Sequence, residues 1–373
     1  MEIQGNQSLL IMLSKVEDPR IDRTKMHNLV DILFIAVCAS IANADSWTDI
    51  EEFGNAYIDW FRSILELPNG IPSHDTFGRV FSLLDPEQLN LCIAEWINHI
   101  HSISEGEIIA IDGKTIRGSF DEASGKKALH LVSAWARNAN LALGQVKIDK
   151  KSNEVTAIPK LLSMLQLKGA IVTIDAMGCQ TKIAQAILTK KADYLLAVKG
   201  NQPDLHQDAA LLFDAADKDN KLISHSFEEV DKGHGRIETR RYEVVNRLDL
   251  APAAGRWPKC NFIGRATSIR NVKGDISQET RYYIGSFEGD GKKFARAVRG
   301  HWSIENSLHW VLDVTFNEDK CRARKDYASE NLSVLRKIAI NMLKKDTSKG
   351  SLKIKRKRAG WNLDCLIKRL AGN

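Results

Sequence analysis

The pattern of apolar residues changes character at Glu107, and this change constrains the fold more than any other feature of the chain. Before it, Leu29–Ile41, Trp47–Leu65 and Glu87–His101 repeat apolar residues at a spacing nearer 3.6 than 2, which predicts helices. After it, IIAIDGKT is a short β-branched run ending in a turn, ALHLVSAWAR and LALGQVKID resemble a hairpin pair, and AIPKLLSML returns to helical spacing. AIVTIDAMG then predicts a buried strand, QTKIAQAILTKK a helix and DYLLAVKGNQ another strand. A hairpin-connected trio followed by helix–strand alternation, in the order β-β-β-α-β-α-β, predicts an α/β unit with a mixed five-stranded sheet flanked by helices.

The flanks read differently. Residues 1–105 predict an all-helical N-terminal domain, broken by Pro68-Asn69-Gly70 and Pro72-Ser73. Ser73 can cap a short helix through Leu84, giving a helix-turn-helix look. Arg79 is that segment's only cation, so helical packing is the default there and DNA reading the alternative. Beyond a helix over Asp204–Ala216, the chain to Asp290 is mostly extended and predicts a β-rich insertion over about residues 217–290. Helical spacing returns from Lys292 to about Phe316 and from Tyr327 to Lys344, so the α/β unit spans 106–345. Residues 346–373 read as a basic tail, SKGSLKIKRKRAG, before a short amphipathic piece, WNLDCLIKRLAG. With 373 residues, 43% of them apolar, there is material for two or three cored domains.

The net charge of +6 conceals an asymmetry. Residues 1–105 carry −10, residues 106–319 carry +4 and residues 320–373 carry +12. A polyanion partner for the C-terminal end is one reading, and a solvated tail the other. The six cysteines are far apart with no Cys-x-x-Cys pair, which argues against a disulfide framework or thiolate zinc site and for a reducing, cytoplasmic setting. The longest apolar stretch, Leu29–Ala44, contains Asp31 and is too short to span a bilayer, and the N-terminus lacks a basic leader; neither a membrane nor a secreted protein is expected.

Two acids end otherwise apolar strands, Asp112 in IIAIDG and Asp175 in IVTIDA. Ligands gather at the carboxyl ends of such strands, so the pair points to one cleft, although a turn or helix-capping Asp is the simpler reading of either alone. The third acid is Glu305, which a helix places on a stripe with Phe294, Val298, Leu308 and Leu312. A carboxylate on a core-facing stripe must be paired, protonated or metal-bound. His301, Glu305 and His309 at i, i+4 and i+8 could instead form a zinc site, though the segment lacks the His-Glu-x-x-His order. Three carboxylates are hard oxygen ligands suited to Mg²⁺ or Mn²⁺, and two such ions about 4 Å apart can drive an in-line phosphodiester displacement. Nearby cations suit a phosphate substrate: Lys114 and Arg117 beyond Asp112, and Lys199 with Asn201 and Gln202 after the last strand. No Gly-rich phosphate loop is present. In HGRIETRRY, alternation puts Arg236 and Arg240 on one strand face, as DNA contacts or merely solvated.

Several long strings in one order resemble the insertion-sequence DDE transposases, specifically the H-repeat-associated group. They are GIPSHDT (Gly70–Thr76), AIDGKTIRGS (Ala110–Ser119), KSNEVTAIP (Lys151–Pro159), DAMGCQ (Asp175–Gln180), DYLLAVKGNQ (Asp193–Gln202), HGRIE (His234–Glu238), RYYI (Arg281–Ile284) and HWSIENSLHWVLDVTFNED (His301–Asp319). The resemblance runs from Val16 to about Leu343. It implies a ribonuclease-H-like fold with the first acid on the first strand, the second ending the fourth and the third on a helix after the fifth. Asp112, Asp175 and Glu305 stand in those positions and, by the resemblance, hold two divalent ions, Mg²⁺ or Mn²⁺. The implied activity is metal-dependent cleavage at the element's ends and strand transfer. The implied partners are double-stranded DNA and a second copy of the chain or more, with the nucleoid as location when DNA is bound. Lys114, Arg117, Lys199, Asn201, His301 and His309 are the candidate phosphate contacts. Many cut-and-paste relatives carry Tyr, Arg and Lys around the third acid, where this chain has Val298, His301 and Leu312. A nuclease on the same fold and a non-catalytic DNA-binding protein are the alternative functions.

Overall fold

A computed structural model describes residues 4–122, 125–148, 153–233 and 235–371. Lys151, Ser152 and His234, which belong to two of the motifs above, lie outside the described residues. The chain begins with six helices: α1 (Gln4–Leu13), α2 (Leu29–Ile41), α3 (Trp47–Ala56), α4 (Ile58–Arg62), α5 (His74–Leu83) and α6 (Pro86–Ile100). α2 is apolar all round and correspondingly buried almost throughout. Its one acid, Asp31, accepts a hydrogen bond from the Leu67 N–H at 3.1 Å, so the carboxyl that interrupts the apolar run anchors the loop after α4. The run Trp47–Leu65 divides at Tyr57. Ser73 caps α5 as expected, and α5 buries Phe77, Val80 and Phe81, so the helix-turn-helix-like segment is a packing element.

The sheet contains β1 (Ile108–Ile116), β2 (Leu129–Ala136), β3 (Leu141–Lys147), β4 (Ile171–Ile174), β5 (Asp193–Val198), β6 (His225–Gly233), β7 (Arg236–Val245), β8 (Phe262–Val272) and β9 (Asp275–Gly285). Helices α7 (Glu154–Met164) and α8 (Thr181–Thr189) alternate with the inner strands, and α9 (Pro203–Lys218) follows β5. The strand order is β3-β2-β1-β4-β5-β9-β8-β7-β6, with β1, β4 and β5 parallel to one another and every other pairing antiparallel. The five expected strands are present in the expected order, but the sheet has nine strands, not five. The reason is an edge: β5 would otherwise end the sheet with unpaired backbone groups, and β9 pairs with it from Leu195↔Gly285 to Val198↔Tyr282. The insertion thereby extends the same sheet.

After β9 come α10 (Gly291–His301), a π-helical turn (Glu305–His309), α11 (Trp310–Thr315), α12 (Ala328–Lys345), α13 (Leu352–Trp361) and α14 (Leu363–Ala371). The basic segment is therefore helical, and Arg356, the largest of its buried side chains, explains why. Its guanidinium donates to the carbonyls of Ser40, Ala44 and Thr315 and pairs with Asp45 at 2.9 Å, tying α13 to the ends of α2 and α11. One hydrophobic cluster runs from Leu13 and Phe34 through Ile111, Trp135 and Tyr194 to Leu343 and Leu366, while a smaller one beneath the insertion joins Tyr242, Phe262 and Phe294. No described helix is long and apolar enough to cross a membrane.

Candidate active site

Asp112, Asp175 and Glu305 all line one cavity of about 260 Å³, together with Thr173, Lys199, His206, Tyr282, His301 and Trp302. β1 and β4 pair only as far as Ile111↔Ile174, so Asp175 stands just past the end of β4, while Asp112, still paired with Ser133 of β2 in a strand that runs on to Ile116, stands where β1 parts from β4. Asp175 is also the capping residue of the simpler reading: it accepts the Met177 N–H at 3.1 Å and still faces the cavity. α10 lies close over β1, because a Cβ on Gly300 would come within 2.7 Å of the Ile108 side chain. That approach brings the His301 Nδ1 to 3.1 Å from the Thr173 hydroxyl.

The helix carrying the third acid departs from the expected regular winding. Between Glu305 and His309 it widens into a π turn, a local feature often found at functional sites. Ile304, Leu308 and Leu312 remain buried, but Glu305 is exposed at the cavity lip and not set in the core. A 3.6-residue period cannot anticipate the extra residue that resets the helix phase.

Burial pushes the Asp112 carboxyl up to about 7, and the charges of Asp175, Glu305 and Glu154 push the same way against a hydrogen bond from Gly113. Burial also raises Asp175, followed by the charge of Glu154; bonds from Gly178 and Met177 and the charge of Lys199 oppose it. Burial drives His301 down to about 4 and His309 down to about 3, so both rings are neutral near pH 7. His309 places its Nδ1 3.4 Å from Asp112 Oδ2 and is only 9% exposed, which excludes it as a surface contact to DNA in this conformation. The zinc arrangement does not form: His301 turns to Thr173 and His309 to Asp112.

The acid cavity fits a hard divalent ion by its donors, since carboxylate oxygens from three separate elements converge there. Among the described residues, no three His, Cys, Asp or Glu groups are yet drawn close enough to grip an ion.

The candidate phosphate contacts separate into two groups. Lys114 is nearly buried and pairs with Asp313 at 2.5 Å and Glu318 at 2.6 Å, so it braces β1 against the segment after the third acid and is not a free cation. Arg240 is held by Glu238 at 2.6 Å and is likewise occupied. Asn201 uses its amide on the Ala176 carbonyl at 2.6 Å, fixing the turn that follows Asp175. Arg117 is exposed and loosely paired with Asp319 at 3.6 Å, Arg236 with Glu238 at 3.8 Å, and Lys199 is exposed at the acid cavity.

A second groove of about 490 Å³ shares Glu279, Arg281, Tyr283, Val298 and Trp302 with the acid cavity and runs out along the insertion. Besides Arg236 and Arg240 it displays Arg270, Arg281 and Arg299, and the Arg281 guanidinium lies 4.7 Å from the centre of the Trp302 ring. Sequence reading missed Arg270, Arg281, Arg299 and Trp302. The available signal was alternation on two further strands, but only the cross-strand register places Arg270 and Arg281 beside Arg236 and Arg240.

The class follows from comparison with known families. Residues 103–342 match the family described as "Transposase DDE domain", and residues 10–97 match the "DDE_Tnp_1-associated" family that accompanies it. The chain belongs to the DDE-domain transposase family. It is 47% identical to "Putative transposase YncI" of Escherichia coli O157:H7, over 95% of this chain and 92% of that one. It is 40% identical to "H repeat-associated putative transposase YhhI" of Escherichia coli K12, over 98% of each chain. A solved piggyBac transposase synaptic complex with hairpin DNA aligns at 11% identity and a TM-score of 0.43, covering 98% of this chain and 81% of that chain, a likeness too slight to bear any inference.

Proposed function

We propose that the chain is the transposase of an insertion sequence, which cleaves phosphodiester bonds at its element's ends and joins the freed 3′-hydroxyl to target DNA. The observation that carries this reading is the convergence of Asp112, Asp175 and Glu305 on one cavity in a member of the DDE-domain family. In this reading β3-β2-β1-β4-β5 is a ribonuclease-H-like core, 106–345 the catalytic domain and 1–105 an associated helical domain. The acids hold two Mg²⁺ or Mn²⁺ ions, which when bound activate the attacking oxygen and stabilise the leaving one. His309 orients the Asp112 carboxyl from 3.4 Å, and His301, neutral and bonded to Thr173, contributes a hydrogen bond and no charge to the cavity wall. Lys199, exposed beside Asp175, and the arginines of the adjoining groove receive the DNA backbone. Pairing two ends calls for at least a dimer.

The test incubates the full chain and Mg²⁺ with a labelled element-end duplex and a plasmid target. Joined product supports the proposal; cleavage without joining identifies a nuclease, and a gel shift alone identifies a DNA-binding protein. Asp112→Ala is expected to lose cleavage and joining while retaining DNA binding.

A further inference from the structure

Glu154 is the first residue of α7 and packs against β1 beside Asp112. Gly113 follows Asp112, so its missing side chain would project from the other face of β1. A Cβ built there would lie 2.1 Å from Glu154 Oε1 and 2.7 Å from His130 Nε2, so the carboxylate and imidazole occupy the space beside Gly113 and a side chain there would displace their ends. Glu154 Oε1 and His130 Nε2 are 2.8 Å apart, and His130 Nδ1 is 2.8 Å from the Thr115 hydroxyl, its directly opposed cross-strand neighbour. Because a carboxylate only accepts, Nε2 carries the proton and the Thr115 hydroxyl donates to Nδ1. Thr115, His130 and Glu154 therefore form a directed relay. It ends on a carboxylate set against Gly113, the residue after Asp112, where β1 and β4 part. Metal-binding carboxylates are commonly held in this way by an outer hydrogen bond that fixes their orientation.

We propose that Glu154 is a fourth metal-binding carboxylate of the site, oriented by His130 and Thr115, and that Gly113 is glycine to let it approach. The proposal rests on the metal-dependent reading above. It adds a ligand from the opposite side of β1, so that Asp112 and Asp175 are bracketed by Glu305 across the cavity and by Glu154 beneath the strand gap.

The experiment titrates MnCl₂ into the full chain by calorimetry, with electron paramagnetic resonance of free Mn²⁺ as a second readout and no DNA present. Wild type is compared with Glu154→Gln, His130→Ala, Asp112→Asn and Asp175→Asn. Expected is a loss of Mn²⁺ affinity of at least about tenfold in Glu154→Gln and a similar or smaller loss in His130→Ala, as outer partners of metal ligands typically give. If Glu154→Gln fails to fold, Glu154→Asp replaces it; its shortened carboxylate draws back from His130 and is expected to bind Mn²⁺ more weakly than wild type. Unchanged affinity in the Glu154 variant, with Asp112→Asn and Asp175→Asn weakened, overturns this inference and leaves the proposed function standing. Unchanged affinity in all variants removes the metal site itself, and both readings fall together.

Discussion

Replacing Asp112 with Asn should stabilise the metal-free protein, which makes the cost of burying this charge measurable without any reaction. In the fold the Asp112 carboxyl is pushed, by burial first and then by its acidic neighbours, from 3.8 to about 7. At 1.36 kcal/mol per tenfold change, this corresponds to about 4 kcal/mol that the ionised side chain costs the native state. The sign follows from the raised value. Below 3.8 the group is protonated in both states and the cost is absent; it grows as the pH rises from 3.8 to about 7 and is complete above that. Asparagine keeps an oxygen to accept from Gly113 and removes the charge. At about 2 °C per kcal/mol for a chain of this size, Asp112→Asn should melt about 8 °C above wild type at pH 8 in EDTA, with the difference closing towards pH 4. Differential scanning calorimetry at both pH values checks it, and Mn²⁺ should raise the Tm of wild type more than that of the variant. A variant that melts at or below wild type at pH 8 would refute the claim that the buried, ionised Asp112 carboxyl costs the native state stability.

Two further outcomes follow from buried charges. Glu318 is 1% exposed and, despite a burial penalty that raises it, is held down at about 2 by Lys114, Lys337 and Arg336; its contribution is thus present above about 4.5 and lost as the pH falls towards 2. Glu318→Gln should cost about 3 kcal/mol at neutral pH, seen as a Tm lower by roughly 6 °C, and adding Lys114→Met should restore part of the loss. Arg356→Met should expose the end of α2 and the α13–α14 pair to amide hydrogen exchange while β1, β4 and β5 stay protected; unchanged protection at α2 would show that Arg356 is not the tie between them.

The inner sheet is legible from its short apolar runs; Asp175 does end β4 as expected, whereas β1 runs on past Asp112 to Ile116, because its pairing with β2 continues after that with β4 stops. The nine-stranded extent was not legible, because the partner of an edge strand is a long-range choice with no local signal; the insertion gave its strands but not the edge it joins. Glu305 is legible from its place on a helical stripe, but its exposure is not, since a π turn leaves the residue pattern intact while shifting its phase. Glu154 was present within a recognised string, yet only the empty side of Gly113 and the His130 contact mark it out from an ordinary acid in the first turn of a helix.

Cations near catalytic acids in sequence are poor guides to substrate contact, and this chain supplies the physical reason. A site of converging carboxylates needs rigid elements around it, and holding a strand against a helix at a partly buried seam favours paired charges whose desolvation is offset by one another. Lys114 is two residues from Asp112 and is taken up in that way by Asp313 and Glu318. The +12 of residues 320–373 is spent similarly in part: Arg336, Lys337, Arg356 and Arg369 are all buried, and Arg369 pairs with Asp346 at 2.7 Å. What remains at the surface of the last helices, including Lys349, Lys353, Arg358 and Lys368, is a smaller patch than the sequence total suggests. Deleting Ser348–Asn373 would therefore remove Arg356 along with those surface charges and confound folding with binding. Under the proposed function, cations that face DNA are sought more profitably beside the acid cavity, where Arg270 of β8, Arg281 of β9 and Arg299 of α10 line a groove that shares a wall with that cavity.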